Sequence, residues 1–377
     1  QPPSSLPVPC ARIHTNLLSL IPRRVPPRYW RSPHLAEAIM KNANTTSRTT
    51  GTTAERTRGT TSRSAPSKEA MPITSASRSK KKGRIANAKP FLKWAGGKWK
   101  LMPQLEESLP QSFKNYYEPF MGSAAFFFWM KAHNKIPKNS VVTLIDLNEE
   151  LVNCFKEVQS LRYKRLIKLL EQHKKKHLAA SEQGATGKAH YYYSVRDTIP
   201  HDDTERAARF IYLNRTCFNG LWRVNRAGKF NVPMGRYKNP AICNPSVIEA
   251  AHAALKGVKI RHAPDGYKAI EDEVAKDDFV YLDPPYVPLT KTAAFTSYTS
   301  EGFGPEDQKE LARFVQKIAK RGAKVLISNS DTKESRALYS GRPFETDLIT
   351  ARRAIGRKAD SRIAVSEIAV RTYERKK

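Results

Sequence analysis

Phe279-Val280-Tyr281-Leu282-Asp283-Pro284-Pro285-Tyr286 is an apolar run that closes on an acid, two prolines and a tyrosine. Phe279–Leu282 lacks the in-out alternation of a strand with one wet face, and suits a strand buried on both sides of a parallel sheet. The prolines cannot donate to a sheet ladder, so they end it. Val141–Asp146 (VVTLID) has the same build, and Lys324–Ser328 (KVLIS) is a third such run. Pro305–Ala319, ahead of that third run, carries apolar residues at helical spacing. Strands alternating with helices predict a doubly wound α/β sheet.

In such a sheet ligands sit at the carboxyl ends of the strands, where Asp283 and Asp146 fall. The exocyclic amine of a nucleobase is a poor nucleophile, because its lone pair is delocalised into the ring. Asp283 and the Pro284 carbonyl can accept hydrogen bonds from its two N–H groups, with Pro284 and Pro285 fixing the backbone that aims the carbonyl. Tyr286 offers a face on which an extruded base can stack. The lone pair then faces a methyl donor, with geometry and charge doing the catalysis. The plainer alternative is a strand-end turn, since D-P-P-x is a common turn sequence.

Three stretches upstream extend the reading. Phe91-Leu92-Lys93-Trp94-Ala95-Gly96-Gly97-Lys98 has glycines for close backbone approach, an indole to pack on a heterocycle, and a lysine to neutralise a carboxylate. Glu118-Pro119-Phe120-Met121-Gly122-Ser123-Ala124-Ala125 reads as strand end, glycine turn and helix start, a place for a small ligand or an ordinary buried junction. Asp146 can grip ribose hydroxyls or cap the next helix.

From about Leu151 to Ala263 the pattern breaks. Lys, His and aromatic residues dominate a stretch that looks helical with a long loop, and it is predicted to be an inserted subdomain. Within it, Gly220, Gly228 and Gly235 punctuate Phe218–Asn225 and Phe230–Tyr237 as a projecting hairpin requires. Arg223, Arg226 and Arg236 lie on that hairpin. An arginine fork there reads O6 and N7 of guanine or, more commonly, holds phosphates.

The 377 residues hold 66 Lys/Arg against 35 Asp/Glu, a net +31. That excess calls for a polyanionic partner, nucleic acid first and an anionic membrane surface second. Cys10, Cys154, Cys217 and Cys243 form no C-x-x-C pair, so a reduced compartment and no structural metal are expected. The longest apolar run, Ala124–Met130, falls far short of a membrane span. Residues 1–88 are predicted to be a disordered basic leader: Pro2–Pro33 is crowded with prolines, and Thr, Ser and Arg dominate Asn42–Arg84. The chain begins at Gln1, with Met40 and Met71 inside the leader. Residues 1–70 are therefore read as upstream translation; a Ser/Arg-rich, acid-poor leader also resembles an organelle transit peptide, a reading disfavoured by its prolines.

In their order these blocks resemble the Dam-like, alpha-class DNA adenine-N6 methyltransferases. Phe91–Lys98 and Asp283–Tyr286 are intact. Asn219–Asn225 and Phe230–Tyr237 resemble the family's recognition hairpin, and Val325–Ser330 and Arg352–Ile355 its later motifs. The resemblance runs from Lys89 to about Tyr373. It implies a doubly wound Rossmann-like methyltransferase sheet with an inserted, mostly helical DNA-recognition subdomain. It implies catalysis by Asp283, Pro284, Pro285 and Tyr286 without a metal. S-adenosyl-L-methionine would be held by Trp94, Lys98, Phe120, Gly122, Asp146 and Asp283. Double-stranded DNA, with GATC as the expected site, would meet Lys93, Asn219, Leu221, Arg223, Pro233 and Arg236, Arg223 reading a guanine. A monomer in the cytoplasm, associated with the nucleoid and with no membrane, is the expected setting. Two departures stand out. Ala124 occupies a position that is usually glycine, at a cost of ~1 kcal/mol if φ there is positive. Phe218 replaces a hydroxyl-bearing aromatic. Rival readings are a methyltransferase acting on protein glutamine or RNA, whose sites resemble N-P-P-Y; a catalytically inactive DNA-binding protein of the same fold; and a basic protein of membrane surfaces or chromatin-like packing.

Overall fold

Phe279–Leu282 is buried on both sides because alternate residues serve two different cores. Phe279 and Tyr281 face one hydrophobic cluster, Val280 and Leu282 the other. The computed structural model describes residues 85–286, 303–352 and 364–375. In it the run is strand β4 of a seven-stranded sheet. The others are β1 (Tyr116–Glu118), β2 (Val142–Asp146), β3 (Lys259–His262), β5 (Lys324–Ser330), β6 (Glu345–Arg352) and β7 (Ala364–Arg371), in the order β3-β2-β1-β4-β5-β7-β6. The pairings from β3 to β5 are parallel, and β7 runs antiparallel between β5 and β6. The order turns back between β1 and β4, which opens a crevice over their carboxyl ends.

Helices cover both faces. After α1 (Met102–Glu106), helix α2 (Ala125–Ala132) buries Ala125–Met130 without a polar stripe, and its Phe126 stacks on Tyr281 at 3.9 Å between ring centroids. Helix α3 (Glu149–Gln159) starts where the Asn148 side chain accepts from the Leu151 amide. The next three helices are α4 (Tyr163–Glu182), α5 (Gly184–Asp197) and α6 (Asp203–Thr216), of which α6 is buried along most of its length. Helix α7 (Pro245–Leu255) returns the chain to the sheet. On the other face α8 (Pro305–Lys320) lays Leu311, Phe314, Val315 and Ile318 on the second core, followed by α9 (Lys333–Leu338).

Two boundaries differ from the sequence reading. The stretch assigned to the insert ends in β3, a parallel edge strand on β2. Its Lys-Ile-Arg-His pattern is open on one side, with Ile260 buried and Lys259 and His262 exposed, so it lacks the apolar run that betrays the central strands. At the front, Ala88 is buried in the same core as Phe91, so packing begins before Lys89. The leader up to residue 84 and the motif from Arg353 to Ile355 lie outside the described residues. Among the described residues no helix is long and apolar enough to cross a membrane.

Candidate active site

The loop leaving β4 is fixed from two directions. Gln308 of α8 donates through Nε2 to the Pro285 carbonyl at 2.6 Å, and Asn329 of β5 donates to Gln308 Oε1 at 3.2 Å. Lys98, buried, places Nζ 3.1 Å from Asp283 Oδ1, donates to the Gly96 carbonyl at 2.6 Å, and lies 4.4 Å from the Tyr286 ring centre. The Tyr286 hydroxyl donates to Glu367 Oε2 on β7 at 2.8 Å, and that oxygen lies 4.0 Å from Lys98 Nζ. One ammonium thus serves two carboxylates. Burial pushes the Asp283 carboxyl up to about 6; Lys98 opposes the shift and Glu367 adds to it. At neutral pH Asp283 is therefore mainly a carboxylate. Beneath it Glu118, at the end of β1, accepts from the Tyr116 hydroxyl at 2.6 Å and from the Phe127 amide at 3.1 Å. Burial raises it to about 8 despite the Tyr116 bond, and the Asp283 charge adds to the rise.

The neighbouring strand end builds a turn. Asp146 Oδ2 accepts from the Gly122 amide at 3.0 Å and Oδ1 from the Asn148 amide at 2.9 Å. Burial lifts Asp146 to about 6 against both of those bonds. The cap of α3 is Asn148, so Asp146 keeps its place at the crevice. Gly122 has φ +47°, and a Cβ there would sit 2.7 Å from the Trp94 indole, so only glycine lets the ring lie on the turn. Ala124 is in the left-handed region as well, at φ 51° and ψ 39°. The conditional cost stated from the sequence, about 1 kcal/mol, therefore applies. Phe120 stands beside this turn, 5.7 Å from Tyr267 and 6.0 Å from Phe303 between ring centres.

The predicted hairpin follows α6. The Phe218 amide donates to the Pro233 carbonyl at 2.9 Å, the Asn231 amide to the Arg223 carbonyl at 3.1 Å, and the Asn225 amide to the Lys229 carbonyl at 2.9 Å. Gly228 turns the tip at φ +71°. Trp222 anchors the hairpin, 4.3 Å from Phe210 of α6 and 4.8 Å from Phe230. Its polar side stays open: Asn219, Arg223, Pro233 and Arg236 are exposed and Leu221 is half-buried. Arg223 is oriented by Asn231, whose Oδ1 accepts from Nε at 2.8 Å. Lys93, far away in sequence, lies against this hairpin with its Nζ 3.9 Å from the Tyr237 ring centre. Phe218 is half exposed.

Residues 94–355 match the family described as D12 class N6 adenine-specific DNA methyltransferase. The chain is 40% identical over 297 residues to the type II methyltransferase M.MjaIII of Methanocaldococcus jannaschii, covering 76% of this chain and 99% of that protein. It is 36% identical to the type II methyltransferase M1.LlaDCHI of Lactococcus lactis subsp. cremoris, covering 76% and 96%. It is 34% identical to the DNA adenine methylase of Vibrio cholerae, covering 74% and 94%. The chain belongs to the D12 class of adenine-specific DNA methyltransferases.

The sequence-predicted residues of this methyltransferase fall into two groups in space. Trp94, Lys98, Gly122, Asp146, Asp283 and Tyr286 gather at the crevice, with Phe120 at its side. Asn219, Leu221, Arg223, Pro233 and Arg236 lie on the hairpin, joined by Lys93. Glu367, Gln308 and Glu118 were not singled out. Glu367 left one faint signal, a lone acid directly before the apolar Ile368–Val370. Gln308 left none, because a glutamine on an amphipathic helix is ordinary. Glu118 stands in its motif as a strand end, and nothing local in the sequence marks its burial beside Asp283.

Proposed function

We propose that this methyltransferase transfers a methyl group from S-adenosyl-L-methionine to N6 of an adenine extruded from duplex DNA, within the sequence GATC. The observation that carries the reading is the Asp283–Tyr286 loop at the turning point of the sheet, with a partly exposed carboxylate next to an aromatic face. Asp283 as carboxylate and the Pro284 carbonyl accept from the two N–H groups of the amine, which localises its lone pair. Tyr286, tied to Glu367, stacks on the base, and Gln308 holds the Pro285 peptide so that the loop keeps its shape. Lys98 sustains the ionised Asp283 until the base amine competes for it.

The residues at the crevice fit the cofactor. The Gly122 turn, lacking a Cβ, lets the Trp94 indole lie on it as a flat apolar wall, and Asp146 is an acid raised by burial that still has lone pairs for a ribose diol. Bound there, the cofactor supplies a methyl group made electrophilic by its sulfonium. Among the described residues no group of three His, Cys, Asp or Glu side chains could hold a metal ion. The proposal is a metal-free transfer by a monomer acting on DNA in the cytoplasm.

The test is transfer of labelled methyl from the cofactor to duplexes with and without GATC, in EDTA, followed by sequencing of the methylated adenines. Label at N6 of adenine in GATC is the expected result. Methylated adenines with no shared neighbours would sink the site assignment, loss of activity in EDTA the metal-free claim, and label on protein or RNA alone the substrate.

A further inference from the structure

The cofactor loop and the recognition hairpin are joined through a single buried amide. Asn214, in the last turn of α6, has no solvent exposure. Its Oδ1 accepts from the Lys93 amide at 2.8 Å, and its Nδ2 donates to the Lys93 carbonyl at 2.6 Å and to the Gly220 carbonyl at 3.2 Å. The side chain thus pairs with both backbone groups of Lys93, as a neighbouring strand would, and spends its second N–H on the hairpin. One residue on, Arg215 donates to the Phe91 carbonyl at 2.5 Å, so the end of α6 seats the whole segment ahead of Trp94. The fit is close on the hairpin side too. Gly220 stands at φ +65°, and a Cβ there would lie 2.6 Å from Lys93 Cβ. A second link is aromatic: Trp94, which packs on the Gly122 turn, stacks 6.4 Å from Phe210, and Phe210 holds Trp222 of the hairpin at 4.3 Å.

A merely structural amide needs partners but not these partners. Here two bonds go to Lys93 and the third to the hairpin's Gly220, elements with different tasks, and the amide that makes them is fully buried, where a lost bond leaves unsatisfied groups. We infer that Asn214 is a positioning residue that sets Lys93 and the hairpin as one unit with the cofactor loop, so that engagement of DNA by the hairpin and binding of the cofactor are energetically coupled. The inference rests on the reading of the hairpin and Lys93 as DNA-contacting. Its reciprocal consequence is that a substitution in the hairpin, remote in sequence from the cofactor loop, changes cofactor affinity.

The experiment measures the affinity of the full chain for S-adenosylhomocysteine, by tryptophan fluorescence, with and without a GATC duplex. The wild type is expected to show a coupling factor of roughly fivefold or more. Asn214→Asp keeps the shape, removes both donors and sets a carboxylate against two carbonyls. It is expected to bring the factor below about twofold and to reduce discrimination against one-base variants of the site by about tenfold. Gly220→Ala tests the same link from the hairpin side, should the first variant fail to fold, and is expected to act likewise. A folded Asn214→Asp or Gly220→Ala protein with wild-type coupling overturns the inference, as does a wild-type factor of one. A melting temperature that drops while coupling and discrimination stay unchanged shows a structural role only, and also overturns it. Coupling that is equal on every duplex sinks the GATC reading and leaves the role of Asn214 standing.

Discussion

The crevice at the strand ends and the helical insert both bury titratable side chains, but in a different balance. At this corner the buried groups include three carboxyls: Asp283, paired with Lys98, and Asp146 are raised to about 6 and Glu118 to about 8, all chiefly by burial. In the insert they are mainly neutral imidazoles and phenols, beside the buried Glu157, paired with Arg162, and the buried Arg209. His173 bonds the Tyr191 hydroxyl and His177 the Tyr212 hydroxyl, with both histidines lowered to about 4 by burial. The hairpin keeps Arg223, Arg226 and Arg236 exposed, whereas Arg209 of α6 is buried against the Val195 and Arg196 carbonyls. On the proposed function, charge is thus held in place beside the reacting atom and left solvated on the hairpin that meets DNA. Failures at the corner are expected to be all-or-none, failures in the insert graded.

The largest expected effect is at Asp283. Asp283→Ala removes the acceptor of the amine proton, and methyl transfer is expected to fall by 10²-fold or more, with the fold and DNA binding retained. Full activity in a filter-binding assay for label would break the comparison at its first term. Next is Arg223→Ala, where a loss of about 1–3 kcal/mol in discrimination is expected at one base position only. If affinity instead weakens equally on all sequences and the salt slope falls by roughly one, Arg223 holds a phosphate.

The opposite pKa shifts give opposite pH dependences. A carboxyl raised in the folded state adds stability that is complete below its unfolded value and is lost as pH rises through the folded one, from about 4 to 6 for Asp283 and to about 8 for Glu118. A histidine lowered in the folded state does the reverse. Its contribution is complete above 6.5 and is lost as pH falls toward about 4. Thermal unfolding between pH 6.5 and 4 should therefore be less acid-sensitive in His177→Gln than in the wild type. Equal slopes would mean that His177 is not protonated on unfolding. Over the same range kcat/KM should rise with pH through about 6, as Asp283 ionises.

The smallest effect is expected at Ala124. Ala124→Gly relieves the left-handed strain at φ 51° and should raise stability by up to about 1 kcal/mol, partly offset by the greater freedom of the unfolded glycine. A drop in the denaturant midpoint would show that the Ala124 methyl, fully buried, contributes more by packing than it costs by strain.

The sequence by itself determined the central strands, the Asp283–Tyr286 loop, the Gly122 turn and the hairpin. Each is a local pattern: an apolar run without alternation, prolines that fix φ, glycines at turns. It could not place β3, whose open edge dilutes the apolar signal. Nor could it show that Glu367, some eighty residues after Tyr286, receives the tyrosine hydroxyl, that Gln308 holds the Pro285 carbonyl, or that Asn214 clasps Lys93. A hydrogen bond between distant segments leaves no periodicity in the chain. Such partners are chosen only when the sheet order brings β7 beside β5 and the end of α6 under the loop before Trp94.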